Sequence, residues 1–149
     1  MTKINELKMT IDSRSVNECF SRVAVASFSS QLDMTVEELG DIKTVVSEAV
    51  TNCIVHAYRD TIGPITVQMR LYQNGRAVIK IRDRGCGIEN VEQAMEPLFT
   101  TGGDDRSGLG FSVMESFTDR LKVTSKAGKG TVVTMEKCIV VKERQGKTV

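Results

Sequence analysis

Residues 46–58 read Val-Ser-Glu-Ala-Val-Thr-Asn-Cys-Ile-Val-His-Ala-Tyr, and the rest of the chain is arranged around this run. The apolar residues Leu39, Ile42, Val46, Ala49, Val50, Cys53 and Ala57 recur at spacings of three and four, which predicts one buried face of a helix. Glu48 and Asn52 stand off that stripe, four residues apart, so both project from one side. A carboxylate and a carboxamide stacked in this way suit a hard cation that keeps most of its waters. Taken alone, the same pair is an ordinary solvated feature of a surface helix.

Thr35-Val-Glu-Glu38 is a capping box that opens this helix, and the polar turn from Arg59 to Pro64 closes it near Tyr58. Upstream, Ser13 is the expected N-cap of an earlier helix with Val16, Phe20, Val23, Ala24 and Phe28 on its packed face. Glu18 and Arg22 fall on the other side as a solvated pair of opposite charge. Before that helix, Leu7, Met9 and Ile11 alternate with polar residues, the pattern of a half-buried strand.

Downstream, Ile65, Val67, Met69 and Leu71 alternate, Asn74-Gly75 makes a tight turn, and Ala77, Ile79 and Ile81 alternate back as a hairpin. Asp83 shares parity with Ile79 and Ile81 and so points to the apolar face. A carboxylate there is costly unless it has a partner, such as a donor group on a ligand. Gly85 and Gly87 follow directly and let the backbone approach a ligand closely. The segment from Ile88 to Asp105 has the length of a lid, and Ser107-Gly-Leu-Gly110 opens a third helix whose N-terminal amides favour an anion. Leu121 and Val123 mark another strand, which Gly128 to Thr131 turns back into a last one through Val133 and Met135. The order strand, helix, helix, hairpin, lid, helix, hairpin predicts an α+β fold, with helices on one face of an antiparallel or mixed sheet.

With 149 residues the chain fits one domain with a sizeable core, expected over residues 1–141 and followed by a polar tail at 142–149. Lys+Arg 20 against Asp+Glu 19 argues against a dedicated nucleic-acid or membrane-surface binder. No apolar run approaches the roughly 18 residues of a membrane span, and the N-terminus does not resemble a signal peptide, so the expected location is cytoplasmic. Cys19, Cys53, Cys86 and Cys138 are too scattered to ligate a metal and are expected as free thiols, the first two buried. Val123 stands where a P-loop would need glycine, and Asn90 where a dinucleotide fingerprint starting at Gly85 would need one. The single histidine, His56, has no second ligand beside it and reads as a packing or hydrogen-bonding residue.

Glu48-x3-Asn52, Asp83-x-Gly85-x-Gly87, Ser107-Gly-Leu-Gly110 and Gly128-x-Gly130-Thr131 stand in a fixed order. Together they resemble the GHKL ATP-binding superfamily of gyrase, histidine kinases and MutL. Residues 48–58, Pro97-Leu-Phe-Thr-Thr101 and the run from Arg106 to Glu115 resemble, more closely, the bacterial anti-sigma-factor serine kinases. The sporulation anti-sigma F branch is the nearest, and the general-stress branch is next.

The resemblance implies a Bergerat fold, a two-layer α+β sandwich with a mixed, mostly antiparallel sheet. It implies ATP or ADP with Mg2+ as cofactors and transfer of phosphate to a serine. Carried over, Asn52 would hold the Mg2+, Glu48 would be the general base, and Asp83 would take the adenine amino group between Gly85 and Gly87. Thr100 and Thr101 would belong to the lid, Arg106 would neutralise charge on the γ-phosphate, Ser107, Gly108 and Gly110 would donate backbone N–H groups, and Thr131 would complete the adenine pocket. The implied partners are an RNA polymerase sigma factor of the sigma F type, an anti-anti-sigma protein as substrate and a second copy of the chain, with no direct nucleic-acid contact. The runner-up readings are a general-stress anti-sigma kinase and a non-catalytic, nucleotide-gated binding module. One departure is Ala57, where the branch commonly has glycine; Cys86 fills a variable slot.

Overall fold

The computed structural model describes residues 2–96 and 110–139. The elements run β1 (Lys3–Asp12), α1 (Val16–Ser29), α2 (Val36–Asn52), β2 (Pro64–Tyr72), β3 (Arg76–Asp83), a short α3 (Val91–Ala94), α4 (Gly110–Ser116), β4 (Arg120–Lys126) and β5 (Gly130–Cys138). The five strands form one sheet in the order β1-β2-β3-β5-β4, and every neighbouring pair is antiparallel. The expectation of an antiparallel or mixed sheet thus resolves to antiparallel. The decisive feature for function is that β5, last in sequence, lies inside the sheet beside β3. The end of β3 at Asp83 therefore meets the start of β5 at Thr131, because Arg82 pairs with Val132.

The β2–β3 hairpin turns where its Asn-Gly pair predicts: Gly75 has φ +88°, and the Asn74 side chain accepts the Arg76 N–H at 3.2 Å. Its inward residues Ile65, Val67, Met69, Leu71, Ala77, Ile79 and Ile81 are buried. They meet Ile42, Val45, Val46, Ala49 and Val50 of α2, so the stripe read from sequence is the core-facing one, with Leu39 and Ala57 half-buried at its ends. Burying each of the Val, Leu, Ile and Met side chains among them contributes about 1.5–3 kcal/mol. The Thr35–Glu38 capping box forms in both directions at 3.0 and 2.9 Å.

Four expectations change. The α-helix ends at Asn52 rather than near Tyr58, and residues Cys53–Ala57 form a single π-helical turn. Helix α1 begins at Val16 with Ser15 at its cap position. Ser13 instead exchanges hydrogen bonds with Gly63, backbone to backbone at 2.9 Å and N–H to hydroxyl at 3.0 Å, and closes the end of the β1–β2 pair.

Most of the expected face of α1 is also turned away, although Phe28 packs against the core and Ala24 is half-buried. Val16, Phe20 and Val23 are 72, 54 and 56% exposed, while Ser21, Val25 and Ser29 are buried. Small serines let α1 lie close to α2. Their hydroxyls are satisfied within the helix, Ser21 by the Asn17 carbonyl at 2.7 Å and Ser29 by that of Val25. Cys19 is consequently exposed; Cys53 is buried as expected. Lastly, the Glu18–Arg22 pair is not a freely solvated one. Both side chains are half-buried, and the Glu18 carboxylate also accepts the Ser47 hydroxyl of α2.

Among the described residues no helix is long and apolar enough to cross a membrane. The tail expected at 142–149 lies outside them.

Candidate functional site

A cleft of about 560 Å3 opens between the C-terminal half of α2, the β3–α3 loop, the start of α4 and the β4–β5 turn. That volume is in the range of small-molecule and cofactor sites. Asn52, Asp83, Gly87, Gly110 and Thr131 line it. Five residues singled out in four separate sequence motifs thus share one cavity. Glu48 stands one helical turn from Asn52 at the Gly110 end, where a Cβ added to Gly110 would lie 3.2 Å from both Glu48 Oε2 and Asn52 Nδ2. Gly85 sits behind the wall, so tight against the Ala57 carbonyl that an added Cβ would come within 2.3 Å of its oxygen.

Asp83 is 6% exposed, and each of its oxygens has a partner within the protein. Its Oδ1 accepts the backbone N–H groups of Gly85 at 2.9 Å and of Thr131 at 3.2 Å, and its Oδ2 accepts the Cys53 thiol at 3.6 Å. Burial pushes the Asp83 carboxyl above its ordinary range, and these three donors pull it part of the way back. No motif or spacing marks this internal set. Cys53 looked like a small hydrophobe, and only its place on α2 opposite the end of β3 makes it a donor.

The loop around Asp83 is fixed from both sides. The π turn leaves the His56 and Ala57 carbonyls outside the regular ladder, and they accept the Cys86 thiol at 3.2 Å and the Cys86 N–H at 3.1 Å. Ala57 is therefore part of the loop's seat as well as the end of the core stripe, its carbonyl and Cβ both lying against Gly85. From the other side, Gly128 N–H donates to the Cys86 carbonyl at 2.6 Å and Ile88 N–H to the Ser125 hydroxyl at 2.8 Å. Ser125 also lies 2.8 Å from the Thr131 hydroxyl, which orients that threonine at the cleft wall. Gly87, at φ +74°, sits where a Cβ would fall 2.0 Å from the Lys126 carbonyl oxygen. The Tyr58 hydroxyl accepts the Arg84 N–H at 2.6 Å and donates to the Pro64 carbonyl at 2.6 Å, anchoring the exit of β3.

Thr100, Thr101, Arg106, Ser107 and Gly108 lie outside the described residues. Among the described residues, no group of three or more histidine, cysteine, aspartate or glutamate side chains is arranged to hold a metal. A cation here would rest on the Asn52 carboxamide and Glu48, with phosphate and water completing its shell, a mode that Mg2+ accepts.

Residues 12–137 match the family described as histidine kinase-like ATPase domain, a nucleotide-binding family of ATPase and kinase type. The chain is 52% identical over 136 residues to an anti-sigma F factor of Caldanaerobacter subterraneus, covering 91% of this chain and 94% of that one. It is 49% identical over 134 residues to the anti-sigma F factor of Clostridium acetobutylicum, covering 89% and 93%. Among solved structures, the RsbU and RsbW domains of a Mycobacterium tuberculosis protein share the fold, with a TM-score of 0.67 and 19% identity over 91% of this chain and 32% of that one. The mycobacterial sensor histidine kinase MprB does so with a TM-score of 0.57 and 16% identity, covering 89% and 98%. A family match across the sheet and the cleft, joined to relatives about half identical from end to end, establishes that the chain belongs to the anti-sigma F factor branch of the histidine kinase-like ATPases.

Proposed function

We propose that this chain inhibits an RNA polymerase sigma factor of the sigma F type. In the same reading it is an ATP-dependent serine kinase that phosphorylates, and so inactivates, a small anti-anti-sigma protein. Residues 1–141 would form the single kinase domain, acting as a homodimer in the cytoplasm, with the bound nucleotide selecting the partner. The observation that carries the reading is the pairing, in one cleft, of a buried carboxylate at one end with Asn52 and Gly110 at the other, where Glu48 stands beside the Gly110 position. A carboxylate whose Oδ1 is already occupied by two backbone N–H groups offers Oδ2 as an acceptor for an amino group, which adenine carries and guanine lacks at that ring position. The relatives' name supports the sigma-factor half of the proposal.

The adenine would lie against Asp83, Gly87 and Thr131, with the phosphates directed along the cleft toward Asn52 and the start of α4. The Glu48 carboxylate would accept the proton of the incoming serine hydroxyl as its oxygen attacks the γ-phosphorus. The bond from that phosphorus to the bridging oxygen then breaks, and ADP leaves. Asn52 would hold Mg2+, which when bound neutralises charge on the phosphates. Arg106, Ser107 and Gly108, with Gly110, take the roles implied by the family pattern: a cation and backbone donors around the γ-phosphate, and Thr100 and Thr101 the role of a cover.

The test is mass spectrometry of sporulation-type and stress-type anti-anti-sigma proteins after incubation with the chain and Mg-ATP. Phosphate on one serine of the sporulation type is expected. Transfer to the stress type alone would reassign the partner, and nucleotide binding without any transfer would leave a nucleotide-gated binder.

A further inference from the structure

Asp83 has an asymmetric environment. Oδ1 is held by two backbone donors that no side-chain substitution removes, whereas Oδ2 receives a hydrogen bond from one side chain, the Cys53 thiol at 3.6 Å. Cys53 is 4% exposed, opens the π turn, and lines the same cleft as Asp83. The position asks for a particular chemistry. A cation would bind Oδ2 strongly and compete with a ligand for it, and an apolar side chain would leave a buried carboxylate oxygen without any donor. A thiol is a weak donor, so it fixes the direction of the carboxylate while leaving Oδ2 able to accept a second hydrogen bond.

We infer that Cys53 is a positioning residue for base selection: its S–H orients Asp83 Oδ2 as an acceptor facing the cleft and thereby sharpens the preference for a 6-amino purine over a 6-oxo purine. The inference rests on the reading of Asp83 as the base-recognising group. A 6-oxo base presents a carbonyl oxygen to Asp83, which is repulsive while the carboxylate is ionised and favourable once it is protonated. Taking away the donor on Oδ2 disfavours the ionised form, so discrimination falls even if overall affinity changes little.

The experiment measures calorimetric affinities of the full chain for Mg-ADP and Mg-IDP, the inosine nucleotide, at neutral pH, so that no turnover is involved. Cys53→Ala and the larger, apolar Cys53→Val remove the donor from below and above the parent's volume, Cys53→Ser keeps one, and Asp83→Asn tests the underlying reading. Thermal melts identify any variant that does not fold. Expected is a drop in the ADP-to-IDP affinity ratio of about threefold to tenfold for Ala and Val, the size of one modest hydrogen bond. Cys53→Ser should keep the ratio within about twofold of the parent, and Asp83→Asn should abolish the preference. An unchanged ratio in Cys53→Val, or equal losses in Cys53→Ser and Cys53→Val, would overturn the role of Cys53 while leaving Asp83 in place. Retention of the full preference by Asp83→Asn would overturn the reading of Asp83 and this inference with it.

Discussion

The two ends of the cleft are built by different means. At the Asp83 end nearly every contact is backbone to backbone or backbone to side chain, and three glycines sit where a Cβ would strike a main-chain oxygen between 2.0 and 2.3 Å away: Gly85, Gly87 and Gly130. At the Glu48 end the parts are side chains on α2 facing the first residue of α4, where an atom that Gly110 lacks would fall only 3.2 Å from Glu48 Oε2 and Asn52 Nδ2. One end is rigid before any ligand arrives. The other, in the proposed reading, carries the groups that would meet the transferring phosphate. A base needs a fixed template, whereas a transferring phosphate needs groups that meet it in the transition state.

The comparison is broken most severely at Gly87. Alanine there would take φ +74° and collide with the Lys126 carbonyl, so the β3–α3 loop would leave the β4–β5 turn. The expected cost exceeds about 2 kcal/mol, with a melting temperature lower by about 5 °C or more and nucleotide affinity lost alongside. Calorimetric melts with and without ADP check this. An alanine variant that binds ADP as the parent does would show the loop is not a rigid template.

Glu48→Gln probes the opposite end and should divide the readouts. Phosphotransfer is expected to fall by about a hundredfold or more, since a general base contributes about 10²–10⁴. ADP affinity should hold, because the hydrogen bonds around Asp83 do not include that carboxylate, and a melt run in parallel separates any change in stability from the loss of transfer. Transfer at an undiminished rate would remove Glu48 from the chemistry.

What could be read in advance divides along similar lines. Helix α2 was legible because its buried face is aliphatic and its exposed face polar, so periodicity alone gives its orientation. Helix α1 was not. Its packed face contains Ser21 and Ser29, whose hydroxyls bond to their own helix, and its apolar residues Val16, Phe20 and Val23 point outward. Hydrophobicity then predicts the wrong phase, because close approach of two helices favours small residues over oily ones. Asp83 was legible from strand parity, but its donors were not: the pairing with Thr131 requires knowing that β5 inserts beside β3, and the thiol contact requires knowing how α2 crosses β3. The π turn at Cys53–Ala57 carries no sequence mark, since its carbonyls are taken by Cys86, thirty residues away.

Two carboxylates give the smallest and most specific test, because their pKa values move in opposite directions. Asp83 is raised by burial, so its ionised form costs stability as the pH climbs through that raised value, and a donor group on a ligand offsets the cost. ADP affinity should therefore weaken as the pH falls into the range where Asp83 takes up a proton, and Asp83→Asn should remove that dependence.

Glu6, on the solvent side of the sheet, is lowered from 4.5 to about 2, first by Lys3 and then by Gln68 and Arg70. Its contribution is present above the unfolded value of 4.5 and is lost as the pH falls toward about 2. Because the site is open to solvent and salt, the effect should be slight. Glu6→Gln should lower the melting temperature by a small amount at neutral pH, with the difference from the parent closing in acid and shrinking in high salt, and should leave ADP affinity unchanged at every pH. A pH-dependent change in ADP affinity in that variant would mean that the outer sheet face and the Asp83 template are coupled, and that the template end is less self-contained than its hydrogen bonds indicate.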